Sequence, residues 1–291
     1  MTFAPPAASA FRLLLLIGCA TLSCCRPGGA SSGSGAAGRT PVPSLGGEGG
    51  NERSEAGYIT PPQLVSAATS TNSMVLIGGA TPDARVELMA PEGEVLRTTA
   101  SHAGTWRLTL PPVTRPRMFA LAADLTDPIS GNRSVHSEGA LILMPRSGPP
   151  ALLVRAGAGA EVFAAKTVRP SLDALDYDPG GFAAAGGRAR PGASVQLMLD
   201  GAPAGVGRAD PGGRYSILAV NRRLILGTHL AVVQSADGKD QRRFTISPPG
   251  PTLTTPYRAD LTPESWRLEW VIPGPGGGVQ TTLVFIPAGS A

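Results

Sequence analysis

Apolar and polar residues alternate in two parts of the chain. Val195, Leu197 and Leu199 alternate with Gln196 and Met198, and Trp106, Leu108 and Leu110 alternate with Arg107 and Thr109. A period of two sets the apolar side chains on one face, so each run predicts a strand buried on one side. Turn-forming residues separate such runs: Pro91-Glu92-Gly93, His102-Ala103-Gly104, Asp200-Gly201 and Asp210-Pro211-Gly212-Gly213. Strands recurring at roughly 8–12 residues between turns of this kind predict β-sandwiches. Beyond the N-terminal region no segment sustains a period near 3.6, so helix is expected to be scarce.

The two regions are copies of each other. Pro82-Asp83-Ala84-Arg85-Val86-Glu87-Leu88-Met89 aligns with Pro191-Gly192-Ala193-Ser194-Val195-Gln196-Leu197-Met198, an offset of 191 − 82 = 109 residues. The same offset carries Gly104 to Gly213, Trp106 to Tyr215, Leu108 to Ile217 and Leu121 to Leu230 without a gap. A solenoid repeats every 20–50 residues or so; a period this long means whole domains were duplicated. Pro191-Gly192 is built for a tight turn, and Trp106 and Tyr215 are expected to fill the space between facing sheets.

The second copy runs Gly187-Arg188-Ala189-Arg190-Pro191-Gly192-Ala193-Ser194-Val195-Gln196-Leu197, then Asp200-Gly201, Ala209-Asp210, Gly213-Arg214-Tyr215-Ser216 and Gly227-Thr228-His229-Leu230. It resembles bacterial Ig-like modules. The first copy is a looser example, with Asp83 in place of Gly192 and Met118 in place of Gly227. The segment Leu172–Asp178 is similar to the opening of such modules in cell-envelope proteins that often carry a LysM domain; no LysM segment is recognisable in this chain. The resemblance implies an all-β chain of two tandem Ig-like sandwiches. The matching residues are turn and core positions, so they speak for fold and hardly for activity.

The remaining pieces are also read as strands. Ala151–Arg155 and Ala160–Ala164 flank a Gly/Ala turn and predict a hairpin, expected as an added edge of the second sandwich. Tyr257–Leu261, Trp266–Val271 and Val279–Phe285 predict three further strands packing on that sandwich. The expected organisation is a signal segment over 1–23, a tether over 24–57, sandwiches over 58–146 and 147–249, and a β extension over 250–291.

The N-terminus reads as an address. Arg12 precedes the apolar run Leu13–Leu22, which is too short to span a bilayer and fits an export signal. All 3 cysteines of the chain, Cys19, Cys24 and Cys25, lie here. Ala20-Thr21-Leu22-Ser23-Cys24 resembles the lipobox of bacterial lipoproteins, which implies lipidation of Cys24. Leu16-Ile17-Gly18-Cys19 matches the consensus more closely in letters but leaves a shorter apolar region, so Cys19 is the alternative. The resemblance implies an outer-membrane lipoprotein facing the periplasm, held to the membrane by its lipid. Arg26–Gly57 has almost no large apolar residue and is expected to be a flexible tether with a reach of roughly 30 Å.

Composition narrows the function classes. Glycine (38) and proline (29) are abundant and only 16% of residues are charged, which suits a turn-rich β protein and excludes a coiled coil or a polyelectrolyte. The net charge of +4 with no Lys/Arg block gives no support to nucleic-acid binding. With no cysteine beyond position 25, the body is expected to hold together by burial without disulfides.

His102, His136 and His229 have no zinc spacing, and no GxSxG is present. Pro273–Thr282 is glycine-rich but lacks the Gly-Lys-Ser/Thr of a phosphate loop, and reads as a hairpin loop. Asp173, Asp176 and Asp178 form the one acidic cluster, a weak calcium candidate through oxygen ligands. No catalytic residue and no cofactor is expected. The reading is a non-catalytic envelope protein acting as a spacer or interaction platform, with another envelope protein or peptidoglycan as candidate partner; a glycan-binding module is the alternative.

Overall fold

The computed structural model describes residues 60–127, 131–220, 222–272 and 277–286. The signal segment, Cys19, Cys24 and the expected tether lie outside these residues. Every regular element described is a strand, and every pairing is antiparallel.

In the first copy, β1 (Gln63–Thr69), β2 (Met74–Gly79) and β5 (Thr105–Leu110) form one sheet in the order β1-β2-β5. It faces a sheet of β3 (Arg85–Met89), β4 (Val95–Thr99), β6 (Arg117–Asp127) and β8 (Ala140–Leu143), ordered β8-β6-β3-β4, with β7 (Gly131–His136) pairing the second half of β6. The second copy repeats this plan. Its β11 (Ser171–Tyr177), β12 (Ala183–Arg188) and β15 (Arg214–Leu218) face β13 (Ser194–Leu199), β14 (Ala202–Arg208), β16 (Gly227–Ser235) and β17 (Gly238–Ile246), the latter ordered β14-β13-β16-β17. Three strands against four, in this order, is the Ig-like β-sandwich.

The repeat extends to single hydrogen bonds. Ala80 N–H donates to Gly104 O as Ala189 N–H does to Gly213 O, both at 2.8 Å; Ala100 N–H donates to Ala84 O as Ala209 N–H does to Ala193 O, both at 2.9 Å. Asp83 (φ 61°) and Gly192 (φ 76°) hold the same left-handed position. The loss of glycine is tolerable there because Asp is among the few residues that visit this region.

One close approach explains the paired aromatics. A Cβ on Gly78 would stand 2.3 Å from the Trp106 ring, and a Cβ on Gly187 2.5 Å from the Tyr215 hydroxyl. Each glycine leaves room for the large ring that fills its sandwich. The polar tips are satisfied: Trp106 Nε1–H donates to Gly79 O (3.1 Å) and Tyr215 O–H to Ser171 O (2.7 Å).

Two additions join the copies. β9 (Ala151–Val154) and β10 (Glu161–Phe163) extend the first copy's sheet beyond β8, in the order β10-β9-β8. The hairpin expected at the edge of the second sandwich is therefore hydrogen-bonded to the first, with Ala140 opposite Val154. On the other side, β18 (Tyr257–Leu261), β19 (Ser265–Val271) and β20 (Val279–Phe285) extend the second copy's three-stranded sheet in the order β11-β20-β19-β18.

These extended sheets carry apolar side chains on both faces. Leu141 and Leu143 enter the core of the first sandwich, whereas Ile142 and Met144 enter a further core together with Leu152, Val154, Leu268, Trp270 and Val284. Leu283 and Phe285 turn into the core of the second sandwich. The result is four β layers with three apolar seams, all within the single unit Arg53–Ala291.

Candidate functional site

The three carboxylates of the acidic segment each have their own partners. Asp173 sits beside a bulge in β11, where Arg188 grips it through Nε (2.7 Å) and Nη2 (2.9 Å) and Ser171 O–H donates to it. Asp178 follows the strand and accepts from Phe182 N–H (3.0 Å), closing a turn. Asp176 is fully buried against the shared core. They do not converge on a calcium position, and no group of three His, Cys, Asp or Glu side chains suited to a metal occurs among the described residues. A bulge beside Asp173 and the end of β11 at Tyr177, just before Asp178, leave Asp176 alone on the regular part of the strand.

Asp176 is the centre of a buried polar network. It accepts from Ala160 N–H (2.6 Å), Thr282 Oγ1–H (2.5 Å) and Gln280 Nε2–H (3.3 Å). Thr282 Oγ1 accepts in turn from Trp270 Nε1–H (3.2 Å), and Gln280 Oε1 from Gly157 N–H (3.2 Å). The network thus ties the 157–160 turn of the first copy's extension to β11, β19 and β20. Burial pushes the Asp176 carboxyl up to about 6, with the three hydrogen bonds restraining the rise.

The histidines have separate settings. His102, in a turn of the first copy, meets Asp83 through Nδ1 at 2.9 Å, and His136 lies on the exposed strand β7. His229 is the one built into a site. Its Nδ1 lies 2.8 Å from Asp200 Oδ2, its Nε2 lies 2.8 Å from Ile225 O, and its ring packs on Phe244 with centroids 5.6 Å apart. A carboxylate and a carbonyl are both acceptors, so making both contacts requires both ring nitrogens protonated. Burial opposes that charge, but the hydrogen bonds to Asp200 and Ile225 outweigh it and raise the His229 pKa. The clamp fixes the loop that carries Leu224, Ile225 and Leu226.

That loop forms one wall of a cleft at the end of the second sandwich. The opposite wall comes from the segment after β17 and from β19, and the end of β11 closes the back. Arg267 and Arg258 both donate to the buried Glu269, the Arg267 contact at 2.7 Å; burial opposes the Glu269 charge, but the arginines win and hold its pKa below the usual carboxylate range. Sequence reasoning did not find this cleft, because its residues come from five separated segments. The one local signal was the apolar triplet Leu224-Ile225-Leu226 in a stretch with no strand alternation.

The glycine-rich segment from Pro273 is described only from Gly277, where Ile272 N–H donates to Gly278 O (2.9 Å) next to the β19–β20 pairing.

No protein-family model and no curated protein matches the chain. Among solved structures it is similar to a 1.5-MDa bacterial ice-binding adhesin studied for host cell surface retention, at 12% identity over 63% of this chain and 62% of that chain, with a TM-score of 0.22. It is also similar to a Ca²⁺-stabilised adhesin with which an Antarctic bacterium binds ice, at 12% identity over 79% and 66% of the two chains and a TM-score of 0.21. A third is the central fibronectin-III array of RIM-binding protein, at 13% identity over 72% and 71%, again with a TM-score of 0.21. The chain spans less than two thirds of either adhesin chain. Likenesses this weak carry no functional argument; the fold assignment rests on strand order and on the repeat.

Proposed function

We propose that the chain is a non-catalytic, lipid-anchored protein of the bacterial cell envelope whose stacked sandwiches act as a spacer or interaction platform. The observation that carries this reading is the shared core, in which Ile142, Met144 and Leu152 from one copy meet Leu268, Trp270 and Val284 from the extension of the other. Two modules joined by a flexible linker transmit no orientation from one to the other; two modules sharing a core do. The most perturbed acid, Asp176, is consumed by structural hydrogen bonds, which fits a scaffold better than a reaction centre.

The anchor is the testable half. Cys24 would carry the lipid at the outer membrane, facing the periplasm, with Cys19 as the alternative acceptor. Bacteria expressing the full chain are fed an alkyne fatty acid, and the wild type is compared with Cys24→Ala and Cys19→Ala. The reading expects label in the membrane fraction that is lost in one of the two variants, Cys24→Ala first. Unlabelled wild-type protein would overturn it. Pelleting of Arg53–Ala291 with purified peptidoglycan sacculi would assign the platform a glycan partner; a supernatant-only result leaves a protein partner.

A further inference from the structure

The cleft at the end of the second sandwich encloses about 800 Å³. That is within the range of roughly 300–1,000 Å³ in which small-molecule sites fall. Its lining is mostly apolar, with Leu224, Ile225, Leu226, Ile246, Leu253 and Val271 contributing side chains. Ile225 is 71% exposed, Leu226 61% and Val271 40%. Single exposed apolar residues are ordinary on any protein surface. Three of them lining one cavity, from two separate segments, make a surface that a ligand would cover.

A second observation is independent of shape. Tyr177, at the back of the cleft, is only 5% exposed, and its hydroxyl is buried with no hydrogen-bond partner among the described residues. A buried tyrosine hydroxyl normally finds a partner, and leaving one unmade costs stability. Burial pushes the Tyr177 phenol above its ordinary pKa; Arg267 and Thr281 temper the rise, but Thr281 closes no hydrogen bond of proper geometry. The group is therefore a neutral donor around pH 7.

Charge defines the ligand further. The charged lining residues are Arg267, Glu269 and Asp178. Arg267 is already engaged by Glu269 and by Pro248 O (3.3 Å), so among the described lining residues no free cation waits for an anionic head, and Asp178 repels one. We propose that this cleft binds an uncharged, largely apolar small molecule carrying a carbonyl or ether oxygen, which accepts a hydrogen bond from the Tyr177 hydroxyl. The site is independent of the lipid anchor.

Nile red, a neutral apolar dye with one carbonyl, is the probe, titrated against Arg53–Ala291, the unit that closes all three cores by itself. The expected result is blue-shifted emission that saturates at one dye per chain. Tyr177→Phe keeps the ring and removes only the hydroxyl. It should weaken binding by between about twofold and tenfold, the worth of one neutral hydrogen bond. The same variant should raise the Tm of the dye-free protein, because an unpaired buried hydroxyl is gone. Leu226→Glu, at a solvent-exposed position, should abolish saturable binding with the fold intact by circular dichroism. Absence of saturable binding to the wild type, or unchanged affinity in either variant, overturns the proposal.

Discussion

Asp176→Asn isolates the energetic cost of the carboxyl buried between the two sandwiches. The side chain accepts three hydrogen bonds in a fully buried setting, and its pKa stands at about 6 against an ordinary 3.8. A carboxyl with a raised pKa binds its proton more tightly in the folded state than in the unfolded chain. Between pH 3.8 and about 6 the folded protein therefore holds more protons, and stability falls as pH rises through this window. A displacement of about two pK units corresponds to roughly 3 kcal/mol, absent at pH 3.5 and fully present at pH 7.

Asparagine keeps the shape and never ionises, but its one acceptor oxygen can serve Thr282 Oγ1–H or Ala160 N–H and not both, a loss that offsets the variant's stability by an amount independent of pH. Urea unfolding of wild type and variant from pH 3.5 to 7.5 should give a stability difference that grows with pH in the variant's favour, levelling off above pH 6. Other titrating groups cancel in that difference. A difference that stays flat from pH 4 to 7, or that grows toward acid, would refute the reasoning.

Two further expectations concern the fold and its loop. Gly78→Ala and Gly187→Ala should each destabilise by at least about 3 kcal/mol in denaturant unfolding, since the new methyl would stand 2.1 Å from Gln63 O and 2.0 Å from Ser171 O respectively; unequal effects would count against equivalent roles in the two copies. The His229 clamp on Ile225 should hold below the ordinary histidine pKa of 6.5 and weaken as pH rises through the raised folded value, so amide exchange in the 224–229 segment should accelerate on the order of tenfold beyond its intrinsic pH dependence, and His229→Ala should remove that extra step.

The sandwiches were legible because burial on one face writes a period of two into the sequence, and because duplication repeated the turns. The Pro82 and Pro191 segments do start equivalent strands, and Trp106 and Tyr215 do fill equivalent spaces. The shared core was not legible in that way. Strands β8 and β9 are covered on both faces, so Ala-Leu-Ile-Leu and Ala-Leu-Leu-Val show no alternation, and a continuous apolar run does not name the sheet it will join.

The acidic strand misled for a related reason. Asp173, Asp176 and Asp178 look clustered in sequence, but a bulge and the end of the strand at Tyr177 leave one with Arg188, one in the shared core and one in a turn. Pairing of Asp176 with Gln280 and Thr282 joins residues more than 100 positions apart, and no local pattern encodes it.

Differential scanning calorimetry of Arg53–Ala291 tests the shared core most directly. Three seams formed within one unit should melt together, giving a single transition whose calorimetric and van't Hoff enthalpies agree, and Ile142→Asn in the middle seam should split it into two. Two resolved transitions in the unaltered protein, or a single one that survives the asparagine, would contradict the account.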